Sequence, residues 1–403
     1  MMPRALAAVG WVLAALIAGA VTGLLAGPWI KDWAPLAKLI IQLIKMAATP
    51  LVFFAVLEAV IRHRVAGNDF AKLVAVVGTN AFIAIAIGLV VANVFQPGQY
   101  LTFLADSHTE LKNISQTDLL SALQKQVPTS IVQPFAENDV MATVILALLL
   151  AFAWRAIKQR HQQQGADFAV AENWISIARE LAELILIWIV KLVPVAVFVA
   201  SAKVTQEHGL APFKGLGQYI LLCLLGMLIH LLFTYSAWLI LVARISVKKF
   251  WEYAAQPMLY AFGVNSSLVA LPLTLQALDK LGISRRASTL TACIGTNLNN
   301  DGIILYEGFT LLAIAQAFGI DMSLGSQLFA AVYCVVAAMG VAGVPEAGVV
   351  ALTLVMSAFG LPLEALAVLL SVDWLIARSR SVLNVGSDMV GATVLHRFLH
   401  DKP

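Results

Sequence analysis

Four charged side chains lie within sixteen residues of an otherwise very apolar sequence, in the stretch DWLIARSRSVLNVGSD from Asp373 to Asp388. A charge at the centre of a bilayer costs roughly 2.5–3.5 kcal/mol even on lenient insertion scales. Wound as an α-helix, the stretch gathers its polar groups into one arc of about 100°. That arc holds Asp373, Ala377, Arg380, Ser381, Asn384 and Asp388. Arg378 falls about 140° from Asp373, so we expect it outside the same pocket.

Asp373 and Arg380 are two helical turns apart on this arc. One interpretation is a structural ion pair that locks the packing of the helix. The other is that Asp373 orients Arg380, whose planar guanidinium can bind a carboxylate through two parallel hydrogen bonds. Ionisable residues inside a membrane favour the functional interpretation.

A second polar cluster interrupts an apolar segment in GTNLNNDGIILYEG, from Gly295 to Gly308. Glycines loosen a helix, so main-chain carbonyl oxygens become available beside the side-chain oxygens of Asn299 and Asp301. Hard cations take several oxygen ligands and usually a carboxylate. The stretch therefore predicts a cation site, and a kinked helix whose asparagines bond to one another is the alternative.

The elements that position these residues are membrane helices, because the 403 residues are 60% hydrophobic and only 12% charged. Apolar runs long enough to cross roughly 30 Å of hydrocarbon recur along the whole sequence. We predict helices at about 5–27, 35–61, 70–95, 139–157, 174–200, 215–243, 287–318 and 363–396. No basic patch is interleaved with aromatic residues, so we expect membrane lipid and no nucleic acid as a partner.

Two further apolar segments, around 266–283 and 340–360, contain proline and small residues. If each enters and leaves on one side, most Lys and Arg residues face the cytoplasm, as the positive-inside bias requires. A full crossing near 266–283 would instead put Arg285 and Arg286 outside. The sequence thus predicts an all-α integral membrane protein with eight transmembrane helices, two re-entrant helical hairpins and both termini in the cytoplasm. Irregular backbone at membrane depth needs protein or a watery cavity around it, so we expect a site between the hairpins.

Four motifs in order resemble the dicarboxylate/amino acid:cation symporters, the family that includes the glutamate transporters. They are NSSLVALPLTLQALDKLGI, NLNNDGIILYEG, GVAGVPEAG and DWLIARSRSVLNVGSD, and the resemblance extends over essentially the whole chain. It implies a homotrimeric, inverted-repeat transporter of the elevator type. Residues 1–69 and 97–212 would form the scaffold, and 70–96 and 213–403 the transport domain.

The resemblance also implies roles for single residues at the substrate site. Arg380 would bind the distal carboxylate of the substrate with Asp373 supporting it, while Ser381 and Asn384 line the pocket. Ser266 and Ser267 would stand at the tip of the first hairpin. Ala342, Gly343, Val344 and Gly348 would form the tip of the second hairpin and close over the substrate.

Two cation sites follow from the same resemblance. Asp388, with the carbonyl groups of Gly295, Asn299 and Asn384, would make one site. Asp301 and the Asn299 side chain would make the other, where Asn80 and Ala81 replace the hydroxyl ligands of the family.

Departures from the family pattern bear on specificity. Ala377 stands where members that transport amino acids have an Asp that holds the substrate ammonium group. Ile303 replaces a Thr near the distal carboxylate, Asn300 replaces Met, and Val341 replaces Thr beside a cation site. Glu346, in the second hairpin, is either a proton-coupling group or an exposed polar residue. The loss of that Asp at Ala377 favours plain dicarboxylates over amino acids.

We therefore expect a bacterial inner-membrane symporter that couples Na⁺ or H⁺ influx to uptake of small carboxylates, most of all C4-dicarboxylates. It would need no cofactor besides the coupling ion. An acidic or neutral amino acid symporter is the alternative within this class. A membrane enzyme using Asp301 and Asp388 is a rival, but no G-x-S-x-G or H-E-x-x-H motif occurs. A channel-like anion leak is another, and it would not accumulate solute.

Overall fold

The computed structural model of the protein describes residues 2–25, 33–62, 67–105, 127–162, 167–341 and 347–399. Every regular element within these ranges is helical. The helices are α1 (Met2–Leu25), α2 (Ala34–Arg62), α3 (Gly67–Phe95), α4 (Gln133–Glu137), α5 (Val140–Gln162), α6 (Ala169–Val190), α7 (Val193–His208), α8 (Ala211–Ala243), α9 (Val247–Val264), α10 (Ser267–Leu281), α11 (Arg285–Ser288), α12 (Asp301–Ala317), α13 (Leu324–Gly340), α14 (Ala347–Ala358), α15 (Glu364–Leu370) and α16 (Asp373–Leu399). They are α-helical except that α8 is π-helical at His230–Thr234 and Trp238–Ala243.

Five stretches of the described chain are helical, long and apolar enough to cross a membrane. They are Pro35–Ile61, Ala71–Phe95, Met141–His161, Ala169–His208 and Ala211–Ala243. The shortest has 21 residues, or about 31 Å at a rise of 1.5 Å per residue. Large apolar side chains such as Phe152, Phe233 and Leu241 are exposed along these helices, as the surface of a lipid-facing helix requires. These features are those of a multi-pass membrane protein.

Two pairs of helices pack together where the sequence predicts hairpins, and each predicted segment covers only the second helix of its pair. α9 and α10 pack together with only Asn265 and Ser266 between them. α13 and α14 form the second packed pair. The first helix of each pair was missed because α9 begins with charged residues, VKKFWE, and α13 has no proline to mark it as an interrupted segment. The predicted boundaries 266–283 and 340–360 were therefore wrong at their N-terminal ends.

Three predicted helices are interrupted. The segment 287–318 changes from α11 to a π-helical turn at Thr289–Ile294 and a 3₁₀ turn at Gly295–Asn297, and α12 starts only at Asp301. The segment 363–396 divides between α15 and α16, and 174–200 divides between α6 and α7. The break between Gly295 and Asp301 lies in the Asn-rich cluster, so the predicted interruption of that helix is confirmed.

The helices pack in two groups. α2 packs against α5, α6 and α7, and α1 packs against α7. α12 packs against α3 and α16, and α16 also packs against α9 and α10. Arg179 on α6 joins this helix to α2, because its Nε lies 2.6 Å from Glu58 Oε2. Its Nη1 lies 2.6 Å from Glu183 Oε2, one turn later on α6.

The contact between α1 and α7 depends on two glycines four residues apart. A Cβ at Gly19 would collide with Ser201 Oγ and the carbonyl oxygen of Phe198. A Cβ at Gly23 would collide with the carbonyl oxygen of Ala202 and lie 2.9 Å from Thr205 Cβ. Small residues at this spacing let membrane helices approach closely and gain van der Waals contact.

We expect Gly23→Leu to destabilise the protein by about 1–3 kcal/mol, because the added side chain would force α1 away from α7. The measurement is the thermal unfolding temperature of the purified protein in detergent. Gly10→Leu is the matched control, because a Cβ at Gly10 meets nothing within 4 Å. Equal unfolding temperatures for the two variants would contradict the packing account.

Candidate functional site

The candidate site is built along α16, a helix that is buried on nearly all sides. Asp373, Arg380 and Asp388 are each 3% exposed. Buried charges persist in an apolar interior only when they are paired or hydrogen-bonded. The neighbours of these three side chains therefore define the site.

Arg380 is held by Asp373 in a bidentate ion pair. Nη1 of Arg380 lies 2.6 Å from Oδ1 of Asp373, and Nη2 lies 2.8 Å from Oδ2. The predicted pairing of these two residues is confirmed. The pairing fixes the plane of the guanidinium, and two-point bonds of this kind are among the stronger hydrogen bonds in proteins.

Two other elements enclose the guanidinium. Its Cζ lies 4.3 Å from the centroid of the Tyr306 ring on α12, a cation–π contact. On α14, a Cβ at Gly348 would lie 2.6 Å from both Cζ and Nε of Arg380. Gly302 lies equally close to the Arg380 main chain, because a Cβ there would be 2.5 Å from its carbonyl oxygen. The absence of side chains at Gly348 and Gly302 thus lets α14 and α12 reach α16 at Arg380.

Other predicted substrate residues lie on α16, on α12 and at the start of α10. Ser381 Oγ lies 3.4 Å from Asn265 Oδ1 at the tip of the first hairpin. Ser266 Oγ accepts a hydrogen bond from Val269 N and so caps α10, whose first residue is Ser267. Ala377 and Ile303 are buried, at 4% and 5% exposure.

Arg378 is the residue that the helical arc places outside this pocket. Arg378 donates from Nη1 to the carbonyl oxygen of Trp374, one turn earlier on α16. Ala342, Gly343, Val344 and Glu346 lie outside the described residues.

Asp388 faces the broken helix. Its Oδ2 accepts from Thr296 Oγ1 at 2.9 Å, and its Oδ1 accepts from Asn299 Nδ2 at 3.0 Å. The 3₁₀ turn that begins at Gly295 packs against α16 here. Main-chain carbonyl groups of an interrupted helix, a carboxylate and a hydroxyl are oxygen ligands of the kind hard cations take. These residues fit a sodium ion.

Asn384 joins this region to α12 and α13. Its Oδ1 accepts from Gly302 N at 2.9 Å, and its Nδ2 donates to Asn300 Oδ1 at 3.4 Å. Asn300 in turn donates to the carbonyl oxygen of Ala338. A movement of Asn384 would therefore displace the first residues of α12 and the last turn of α13.

Asp301 has a different set of neighbours. Its Oδ2 lies 2.6 Å from Ser387 Oγ, 3.0 Å from His230 Nε2 and 3.3 Å from the Tyr235 hydroxyl, and it accepts from Asn80 Nδ2. Ser387 Oγ also lies 2.6 Å from Asn299 Oδ1. Ser387 can therefore donate to either Asp301 or Asn299, and Asn299 donates to Asp388, so the two carboxylates lie in one polar cluster.

Residues of this site that the sequence pattern did not indicate include His230, Tyr235, Thr296, Tyr306 and Ser387. His230 was detectable, because it is an ionisable residue inside an apolar helix. Glu307 was detectable by the same rule. It is fully buried on α12 and faces the thiol of Cys334. The hydroxyl groups and the Tyr306 ring carried no such signal in the sequence.

Comparison with known proteins places this arrangement in a family. The model of the sodium:dicarboxylate symporter family matches residues 9–398. A C4-dicarboxylate transport protein of Pectobacterium atrosepticum is 27% identical, over 97% of this chain and 91% of its own. A proton/sodium-glutamate symport protein of Bacillus subtilis is 25% identical, over 96% of this chain and 91% of its own. A neutral amino acid transporter B(0) of Mus musculus is 28% identical over 69% of this chain and 50% of its own.

We expect Asp373→Ala to lower the free energy of unfolding by about 3–5 kcal/mol, because the Arg380 guanidinium stays buried without the Asp373 carboxylate. Thermal unfolding in detergent measures the effect. Glu364→Ala is the control, because Glu364 pairs with Lys38 at 3.0 Å where both side chains are more than a third exposed. That pair contributes about 0–1 kcal/mol, so a comparable loss in both variants would contradict the prediction.

Proposed function

Because the chain belongs to the sodium:dicarboxylate symporter family, we propose that it is a secondary active symporter for small carboxylates, with C4-dicarboxylates as its substrates. An inward cation gradient supplies the work. The observation that carries the proposal is Arg380, a permanent cation held in one orientation by Asp373 and touched by the first turn of α14.

Arg380 is the residue that binds a substrate carboxylate. A guanidinium has five N–H groups in a fixed fork, and the two bonds to Asp373 use two of them. The Nε side of the fork faces Gly348, so a substrate held there would lie under the second hairpin. Ser381 and Asn384 line the α16 side, and Ser266 and Ser267 line the first hairpin. The proposal assigns closure over the substrate to Ala342, Gly343 and Val344, the role that the family resemblance implies for them.

Ala377 selects plain dicarboxylates. It lies one turn before Ser381 on α16, and the Ser381 hydroxyl bonds to its carbonyl oxygen at 3.2 Å. A methyl group there offers a substrate ammonium neither charge nor hydrogen-bond acceptor, and an unpaired buried ammonium is costly. A dicarboxylate brings no ammonium group and avoids that cost.

The coupling ion binds at Asp388, with the carbonyl groups of Gly295, Asn299 and Asn384. An ion there draws the broken segment before α12 towards α16. Asn384 carries that change to Asn300 and the last turn of α13, the first arm of the second hairpin. Closure of the hairpin over the substrate then requires the ion.

The proposal extends to assembly and topology. The packing of α2 with α5, α6 and α7 supports a scaffold of residues 1–69 and 97–212, and the packing around α16 supports a transport domain of 70–96 and 213–403. Three copies would form a trimer in a bacterial inner membrane, each with eight spans, two re-entrant hairpins and cytoplasmic termini.

The substrate class is tested by uptake into proteoliposomes. We expect labelled succinate to accumulate at least tenfold more than labelled aspartate under an inward sodium gradient, because each unpaired polar group of this kind costs about 1–3 kcal/mol. Accumulation of aspartate instead would favour an amino acid:cation symporter, the class that the names of several relatives indicate. Current without accumulation would contradict symport.

The role of Ala377 is tested by adding the missing carboxylate. We expect Ala377→Asp to raise aspartate uptake and to lower succinate uptake, each by about tenfold, because a charge-assisted bond is gained with the ammonium and a like charge now faces the dicarboxylate. Ala377→Asn is the matched control, with the same shape and no charge. Equal effects of the two variants would show that the size of the side chain at position 377, and not its charge, determines which substrate is taken up.

A further inference from the structure

A cleft outside the site on α16 opens between α2, α7, α15 and the 3₁₀ turn Thr102–Leu104. Most of its wall is apolar and includes Ala37, Leu104, Val199, Ala200, Ala365 and Val368. Four charged residues complete the lining: Lys38 on α2, Lys203 and Glu207 on α7, and Glu364 on α15. The cleft therefore combines an apolar wall with two cations and two anions.

One cation and one anion of the cleft are paired with each other. Lys38 Nζ lies 3.0 Å from Glu364 Oε1. Lys203 and Glu207 differ from this pair, because neither forms a hydrogen bond or an ion pair with another residue in the parts of the chain that the structure describes. Lys203 is also partly buried, and a charge that loses water without gaining a partner is destabilised. The cleft thus presents an ammonium and a carboxylate that can each accept a ligand.

The spacing of Lys203 and Glu207 defines the ligand that complements them. They are four residues apart in α7, so they lie on one face of the helix with Cβ atoms about 5–6 Å apart. The ligand needs an anionic group with accepting oxygens at Lys203 and, one helical turn away, a cationic donor at Glu207. Phosphoethanolamine has these two groups joined by two carbons. Phosphocholine has the same charges but no N–H group, and phosphoglycerol has no cation.

The cleft lies at the level where lipid headgroups occur. Lys203 and Glu207 are in the last two turns of the apolar stretch Ala169–His208. The ring of Trp33, which directly precedes α2, lies 6.2 Å from the ring of Phe198 on α7. Tryptophan is enriched at the boundary between membrane and water, so these residues mark the end of the hydrocarbon region beside the cleft.

Apolar surface continues from the cleft towards the middle of the helices. Val195 lies one turn before Val199 on α7 and is 42% exposed, and Leu39 follows Lys38 on α2 and is 51% exposed. A lipid with its headgroup at the charged residues of α7 can lay its acyl chains along this surface. A small soluble zwitterion could not cover it, so the apolar surface favours a lipid as the occupant.

We propose that this cleft binds the headgroup of phosphatidylethanolamine, with the phosphate at Lys203 and the primary ammonium at Glu207. The Lys38–Glu364 pair forms the rest of the charged rim and is neutral as a pair, so α7 determines which headgroup is bound. In the proposed function α2 and α7 belong to the scaffold and α15 to the transport domain, and the lipid contacts both. The binding itself does not depend on that function.

The first test compares lipids on the purified full-length protein in detergent, by thermal unfolding at increasing concentrations of one added lipid. A lipid that binds the folded state raises the unfolding temperature. The probes are phosphatidylethanolamine, phosphatidylcholine and phosphatidylglycerol with identical acyl chains. We expect phosphatidylethanolamine to reach its half-maximal effect at a concentration about tenfold lower than the other two, because only its headgroup bonds to both charged residues. Equal half-maximal concentrations for the three lipids would overturn the proposal.

Soluble phosphoethanolamine distinguishes a lipid from a free small molecule in the same assay. It has the charges of the headgroup and no acyl chains. We expect its half-maximal concentration to be at least about tenfold higher than that of the lipid, because it leaves the apolar surface uncovered. Protection by phosphoethanolamine at the same concentration as by the lipid would overturn the assignment to a membrane lipid.

The second test locates the headgroup with variants of α7. We expect Glu207→Gln to lose the preference for phosphatidylethanolamine over phosphatidylglycerol, because the ammonium loses its carboxylate partner. We expect Lys203→Gln to bind both lipids about tenfold more weakly, and Lys203→Arg, which keeps the cation, to bind within about threefold of the wild-type protein. Lys214→Gln is the matched control, because Lys214 is an exposed lysine on α8 that does not line the cleft.

These variants change residues that are exposed or only partly buried, so we expect them to fold. The unfolding temperature of each variant without added lipid checks this expectation. A preference for phosphatidylethanolamine that survives in Glu207→Gln would overturn the proposal. Lipid binding by Lys203→Gln equal to that of Lys214→Gln would overturn it as well.

Discussion

The ion pair between Arg380 and Asp373 is the interaction on which the rest of the site depends. Both side chains are 3% exposed, and a lone charge in such surroundings would cost several kcal/mol. Pairing removes most of that cost and fixes the guanidinium plane as well. Tyr306 on α12 and Gly348 on α14 then both lie against the guanidinium in one fixed position. Three helices are therefore positioned by one charge and its partner.

The polar groups of α16 also explain why the chain carries broken helices. The break between Gly295 and Asp301 brings Thr296 and Asn299 to Asp388, and Asn384 bonds to the first turn of α12. Ser387 lies 2.6 Å from both Asn299 Oδ1 and Asp301 Oδ2, and its single hydrogen can serve only one of them at a time. The groups proposed to bind the substrate and the ion therefore belong to one connected cluster of hydrogen bonds. This connection is the physical basis for coupling substrate binding to ion binding.

Much of this arrangement could be predicted from the sequence, because charges in an apolar chain are few and must meet. The helical arc correctly paired Asp373 with Arg380, and the Asn-rich stretch correctly marked a break. The first helices of the two pairs could not be found, since α9 begins with charged residues and α13 has no proline to mark it as an interrupted segment. Thr296, Tyr306 and Ser387 carry no signal of their own, because their roles depend on which helices pack together. The identity of the transported carboxylate depends on small differences in contact at Ala377 and Ile303, which the helical periodicity of the sequence does not indicate.

The central claim is that an ion at Asp388 prepares Arg380 to bind a carboxylate. The most direct measurement is the affinity of the purified protein for succinate at several sodium concentrations, in wild-type protein and in Asp388→Asn. The account predicts that wild-type affinity rises about tenfold for each tenfold rise in sodium below saturation, since one ion is linked to one substrate, and that Asp388→Asn shows no such rise. Succinate affinity that is independent of sodium in the wild-type protein would contradict it.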